Sequence, residues 1–259
     1  MSESPVGLTR FVILAAPRTG SNWLCSLLNS HPDILCHHEV FNPSGIFYAA
    51  DRRDGSINLG TVEERDDRPL EFLDRLWWNS LGFPCVGFKM TRGQNEPVLE
   101  AVLEDRGVRK ILLRRGNALR TYISELIAME TGRWEVYDRR EPSAGPLWVR
   151  VDVDGLRSHI ETNAAFYNRL EEELRRTAQE FVSTAYESLS CAEEHSRLLQ
   201  YLGVSRNEII ALEGRSIRQN PQRLSQLVAN YHELKSALEG SDLGPLLDMD
   251  EDEQCRTRL

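Results

Sequence analysis

Residues 11–28 read FVILAAPRTGSNWLCSLL, and this stretch decides the fold. The apolar run from Phe11 to Ala16 has the length and composition of a buried strand. Pro17-Arg18-Thr19-Gly20-Ser21 interrupts it. Trp23, Leu24, Leu27 and Leu28 then recur at helical spacing until Asn29-Ser30-His31-Pro32 stop the pattern. A strand, a tight loop and a helix start, in that order, gather backbone N–H groups, hydroxyls and one cation around an anion. An ATP or GTP phosphate loop reads GxxxxGK[ST], and no Gly-Lys-Ser/Thr occurs in this chain. Arg18 precedes the small-residue turn instead, and a guanidinium fork can grip a tetrahedral oxyanion bidentately without a metal. The plainer alternative is a charged loop that caps the helix through Thr19 or Ser21.

The chain has 259 residues, enough for one large α/β domain with a sizeable core. We read residues 1–259 as one domain with a frayed acidic tail from about residue 248. The formal charge of −9 argues against nucleic acid or an anionic membrane as the main partner, so an anionic cofactor needs a local basic pocket. The five cysteines, at 25, 36, 85, 191 and 255, have no metal-type spacing. With no signal peptide and no apolar stretch of membrane-spanning length, the expectation is a cytoplasmic protein with reduced thiols.

Further apolar runs fall at 33–41 (DILCHHEVF), 85–90 (CVGFKM), 108–113 (VRKILL) and 181–185 (FVSTA). Between them, helical patterns are expected around 70–77, 97–104, 117–130 and 156–180, with more helices after 185. The polar stretch 50–68 reads as a surface loop or lid, and 132–155 as irregular. Alternating strands and helices predict a three-layer, P-loop-like α/β fold, with a central parallel sheet flanked by helices. The stripe Leu224, Leu227, Val228, Tyr231, Leu234 reads as core or as a homodimer surface.

Ligands of such sheets sit outside the carboxyl ends of the strands. After VRKILL come Arg114-Arg115-Gly116-Asn117 and, within the next helix, Ser124. An arginine at a strand end and a serine on the following helix can hold one phosphate from two sides. The alternative is a basic cluster paired with Glu100 or Glu104.

PRTGSNWL after an apolar strand, with LLRRGNALRTYIS about ninety residues later, resembles the sulfotransferase family, in particular its bacterial nodulation-type and trehalose-type members. Thr184-Ala185-Tyr186-Glu187-Ser188-Leu189 is similar to the family's strand-end Tyr-Glu-x-Leu. Arg218-Gln219-Asn220-Pro221 and the following Leu227 to Tyr231 resemble the tail of bacterial members. The resemblance implies 3′-phosphoadenosine-5′-phosphosulfate (PAPS) as donor, 3′-phosphoadenosine-5′-phosphate (PAP) as product, and no metal. It assigns Arg18, Thr19, Gly20, Ser21 and Asn22 to the 5′-phosphosulfate. Arg115 and Ser124 go to the 3′-phosphate, with Arg114 as the competing ligand, Tyr186 lies near the adenine, and Arg218 completes the cofactor set. The implied acceptor is a hydroxyl of a small molecule or carbohydrate.

Sulfuryl transfer needs charge stabilisation on the leaving phosphate and a base for the acceptor hydroxyl. Cys36-His37-His38-Glu39-Val40-Phe41 is the richest candidate segment. The resemblance points to Glu39 in its Glu-x-Phe context as the base, with His38 and His37 as runners-up and a structural strand-end glutamate as the alternative. Adjacent histidines on a strand face opposite sides, which argues against a metal there. Lys89 ends a strand and reads either as a cation entering the cleft or as a solvated lysine. The aromatic stretch 131–150, with Trp134, Tyr137 and Trp148, reads as acceptor-site wall or as core. A nucleotide-dependent phosphotransferase and a non-catalytic nucleotide-binding protein of the same fold are the other functional readings.

Overall fold

The computed structural model describes residues 7–135, 148–204, 212–215 and 220–249. Five strands form one parallel sheet: β1 (Thr9–Ala15), β2 (Ile34–His37), β3 (Cys85–Thr91), β4 (Val108–Arg114) and β5 (Phe181–Ala185), in the order β2-β3-β1-β4-β5. The central strand β1 is buried on both faces, and its side chains alternate between two cores. Val12 and Leu14 join α3 (Pro69–Trp78), α4 (Glu96–Glu104) and α6 (Val153–Arg176) on one face. Phe11, Ile13 and Ala15 meet α1 (Ser21–Leu28) and α7 (Ala192–Tyr201) on the other. The predicted α/β layering is therefore present.

A third cluster joins α5 (Ala118–Thr131) to α8 (Leu224–Leu227) and α9 (Tyr231–Leu238). It absorbs Leu224, Leu227, Val228 and Leu234, with Tyr231 packed against it, so that stripe is core rather than dimer surface.

Two expectations are corrected. The stretch 50–68 contains a helix, α2 (Val62–Asp67), and a short 3-10 turn at Ala50–Arg52. Its signal is a capping box, in which the Thr61 side chain accepts from the Glu64 N–H and the Glu64 carboxylate accepts from the Thr61 N–H. The extended segment at 33–41 is a strand only over Ile34–His37, because β2 is an edge strand with β3 as its neighbour. After His37 the chain turns, with the Val40 N–H donating to the His38 carbonyl.

The chain leaves β1 toward β2, and β4 lies on the opposite side of β1, so the crevice at their carboxyl ends is the switch point of the sheet. No helix among the described residues is long and apolar enough to cross a membrane.

Candidate active site

The loop after β1 is built around two left-handed residues, Arg18 at φ 63° and Gly20 at φ 88°. Gly20 is required twice over: its φ disfavours any side chain, and a Cβ there would run into the Tyr186 ring. Thr19 Oγ1 donates to the Ala16 carbonyl at 2.9 Å, closing the turn. Helix α1 then starts at Ser21 with no side-chain cap, and its N-terminal amide dipoles point back at the loop.

Arg18 is half-buried within the site. Its Nε donates to Ser124 Oγ at 2.9 Å and its Nη1 to the Trp134 carbonyl at 2.6 Å. Ser124 lies on α5, so the two halves of the predicted anion site meet in one contact. Burial and the nearby Arg115 guanidinium pull the Arg18 pKa down to about 10, against the attraction of Glu125 and Glu39. Arg18 therefore remains cationic at neutral pH.

The two strand-end arginines of β4 diverge. Arg114 donates to Glu171 on α6 at 2.6 Å and lies over the Tyr167 ring, 4.2 Å from its centroid. The basic-cluster alternative named Glu100 and Glu104 as partners, and the partner is instead Glu171. Arg115 stacks on Tyr186, 4.3 Å from the ring centroid, on the same ring that closes over Gly20. Trp23 meets that ring edge-on at 5.4 Å. Gly116 gives its N–H to Glu187 at 3.0 Å, so the glycine after the arginine pair anchors the neighbouring strand end.

A lysine does reach the phosphate-type loop, but from β3 rather than from the loop itself. Lys89 is buried, with its Nζ donating to Asn22 Oδ1 and lying 3.4 Å from Ser21 Oγ. The same ammonium is 2.7 Å from Glu39 Oε1, so it is not the solvated lysine of the alternative reading. Glu39 Oε2 accepts from Asn42 Nδ2 and, at 2.8 Å, from Gln94 Nε2. Burial pushes the Glu39 pKa up, but Lys89, Asn42 and Gln94 together outweigh it, and the carboxylate is held below its ordinary value.

His37 and His38 are both buried. Burial holds His37 down to about 4, and its Nδ1 accepts the Ala49 N–H at 3.3 Å. Burial, followed by Lys89, Arg53 and His37, holds His38 well below its usual value, and its Nδ1 lies 3.3 Å from Asn22 Oδ1. Both imidazoles are neutral near pH 7. Among the described residues no group of His, Cys, Asp and Glu is arranged to hold a metal ion.

Several contributors carry no local sequence signal. The Tyr167 hydroxyl accepts the Ala16 N–H at 2.8 Å and donates to the Leu113 carbonyl, bridging the ends of β1 and β4. Buried Arg120 donates to the carbonyls of Asn220 and Gln222, and Asn220 Nδ2 reaches Ser124 Oγ at 3.2 Å. This brings part of the predicted tail segment to the site, whereas Arg218 and Tyr137 lie outside the described residues. Arg53 pairs with Glu135, joining the 50–68 stretch to residues 131–135 beside Arg18.

Curated relatives match along nearly the whole chain. Nodulation protein H of Rhizobium meliloti (strain 1021) is 27% identical over 241 residues, covering 91% of this chain and 93% of that protein. Nodulation protein H of Rhizobium tropici is 25% identical over 256 residues, covering 93% and 94%. No family model matches. Among solved structures, this chain is similar to a sulfotransferase from Alicyclobacillus acidocaldarius (TM-score 0.47, 16% identity, 95% of each chain) and to mouse sulfotransferase SULT7A1 complexed with PAP (TM-score 0.42, 12% identity, 93% and 88%). The similarity to nodulation protein H agrees with the resemblance of the motifs to nodulation-type sulfotransferases, and with an enzyme of that kind.

Proposed function

We propose that this chain is a single-domain sulfotransferase that uses PAPS as donor and transfers its sulfuryl group to a hydroxyl of a small molecule or carbohydrate, with Glu39 as the base. The observation that carries the reading is the meeting of the Arg18 loop with Ser124 of α5, 2.9 Å apart beside the start of α1, which gathers a guanidinium, a hydroxyl and a helix N-terminus where an anion could sit. The residues present fit such a ligand. Thr19, Gly20, Ser21 and Asn22 form the turn and first helical residues that would hold the 5′ end, with Arg18 beside them. Arg115, Ser124 and Asn220 stand on the β4 and α5 side for the 3′-phosphate. Arg114, committed to Glu171, is the weaker candidate. Tyr186, already stacked on Arg115, offers a face for the purine.

Bound there, the donor would supply an activated sulfuryl group on a good leaving phosphate. Glu39, ionised across the neutral range, takes the proton of the acceptor hydroxyl as the new oxygen–sulfur bond forms. Arg18 and the helix N-terminus neutralise the charge that collects on the departing phosphate as the old bond breaks. Lys89 touches both Glu39 and the loop residues Ser21 and Asn22, and so fixes the base relative to the anion site. The Arg53–Glu135 pair and Trp134 lie beside Arg18 and would belong to the acceptor side.

The test is calorimetric titration with PAP in the absence of metal, set against ATP with magnesium, on the wild type and on Glu39→Gln. Tight metal-free binding of PAP to both, with turnover of PAPS to PAP lost only in Glu39→Gln, is the expected result. A preference for ATP with magnesium would overturn the donor, and undiminished turnover in Glu39→Gln would overturn the base.

A further inference from the structure

Arg65 sits on α2, in the stretch whose polar composition suggested a surface loop, yet its side chain is only 1% exposed. Its Nη1 donates to three backbone carbonyls, Val40 at 3.1 Å, Asn42 at 2.8 Å and Gly45 at 2.8 Å, and its Nε and Nη2 both reach Asp66 at 2.8 Å. These three carbonyls belong to the turn that follows Glu39. The turn closes back on Glu39, whose own carbonyl accepts from the N–H groups of Asn42 at 3.2 Å and Phe47 at 3.3 Å. The Asn42 side-chain amide donates to the Glu39 carboxylate. One guanidinium therefore fills the centre of the loop whose far side aims the carboxylate.

We propose that Arg65 is a positioning residue for sulfuryl transfer, acting through Asn42 to orient the Glu39 carboxylate. The inference rests on the reading of Glu39 as the base. A guanidinium suits the task because its planar fork can serve several converging oxygens at fixed angles, which the point charge of an ammonium cannot do. Taking a cation out of water is costly, and three carbonyls together with Asp66 offset that cost only while the loop keeps this shape. The loop shape and the orientation of Asn42 are thus tied to one buried group. Small displacements of a catalytic group lower rates steeply, so a loosened loop should slow transfer without affecting the donor site on the far side of Lys89.

The experiment compares Arg65→Lys, Asn42→Ala and the double variant in the full chain. It measures turnover of PAPS to PAP with water as acceptor, calorimetric binding of PAP, and titration of the Glu39 carboxylate by carbon NMR. The expected result is a kcat at least about tenfold lower in each single variant, with PAP affinity within about twofold of wild type. The Glu39 titration should move upward in both, because a hydrogen bond to its ionised form is lost. If Arg65 acts through Asn42, the double variant should be no slower than the slower single variant. Multiplying losses, or an unmoved Glu39 titration with wild-type kcat, would overturn the proposal. Should Arg65→Lys lose its cooperative melt, Asn42→Ala, which leaves the guanidinium in place, carries the same titration and kcat readouts. Full activity in Glu39→Gln would instead remove the base reading alone, since the NMR titration reports the positioning of Glu39 whatever its chemical role.

Discussion

Lys89 holds its ammonium 2.7 Å from the Glu39 carboxylate, with both groups largely withdrawn from water. The pair joins β3 to the segment after β2 and, through Asn22 and Ser21, to the start of α1. Removing the cation leaves a buried carboxylate with amide donors but no counter-charge. Lys89→Met should cost about 3 kcal/mol of stability at neutral pH, read from urea melts. The sign of its pH dependence follows from Glu39, whose folded pKa is depressed. The stabilisation is present above the ordinary carboxylate range and is lost as pH falls through the lowered value, so the gap between wild type and variant should narrow in acid. The acid limb of the turnover profile should move upward in the variant, and an unmoved limb would detach Glu39 from the rate.

The divergence of Arg114 and Arg115 makes a second comparison. Arg115→Ala should weaken PAP by about 1.5–3 kcal/mol, the value of a hydrogen bond to a charged group, while leaving 5′-AMP little changed. Arg114→Ala should cost much less PAP affinity, because its guanidinium already serves Glu171 and the Tyr167 ring. Isothermal calorimetry on both variants with both nucleotides separates the roles, and equal weakening of PAP and AMP by Arg115→Ala contradicts the assignment.

At Gly20 the backbone and the neighbouring ring impose separate penalties. Gly20→Ala should cost about 1–2 kcal/mol for the left-handed φ alone, and it should displace Tyr186 from the loop. Pairing it with Tyr186→Ala should relieve the steric part and leave the backbone part. A double variant no more stable than expected from simple addition would mean that the ring contact is unimportant.

Tyr167→Phe removes one oxygen and leaves the Ala16 N–H and the Leu113 carbonyl buried without their partner. The expected cost is about 1–3 kcal/mol, or roughly 2–4 °C in Tm per kcal/mol for a chain of this size, measured by differential scanning calorimetry. PAP affinity should fall as well, since the hydroxyl bridges the strand ends that carry the two anion-binding halves.

The parts of the site legible in the sequence were those written in local pattern. The strand, turn and helix at 11–28 announce themselves by periodicity and punctuation, whereas the contact of Arg18 with Ser124 is written in neither motif. The α2 helix was hidden by its charges, although its Thr61 and Glu64 cap was readable. Tyr167 and Arg65 were not legible, because each acts through a partner far along the chain, and of Asn220 the motif was legible but not its contact with Ser124. Tyr167 falls within the apolar stripe of a long charged helix, and nothing local distinguishes a core tyrosine from one whose hydroxyl links two strands. Lys89 was visible as a strand-end cation, but its choice of Glu39 over water is set by the packing of β3 beside the segment after β2.

The bridge that Tyr167 makes between the ends of β1 and β4 also fixes a length. Because one hydroxyl holds both strand ends, the gap between the Arg18 loop and Arg115 is a property of the scaffold rather than of whatever occupies it. On the proposed reading, a ligand with one anionic end on the Arg18 loop and another on Arg115 would be gauged as by calipers: molecules whose charges match the span would engage both jaws, and those with a single charged end would engage one. Selectivity among nucleotides would in that case be a matter of distance more than of total charge, with the buried tyrosine as the screw that sets the opening.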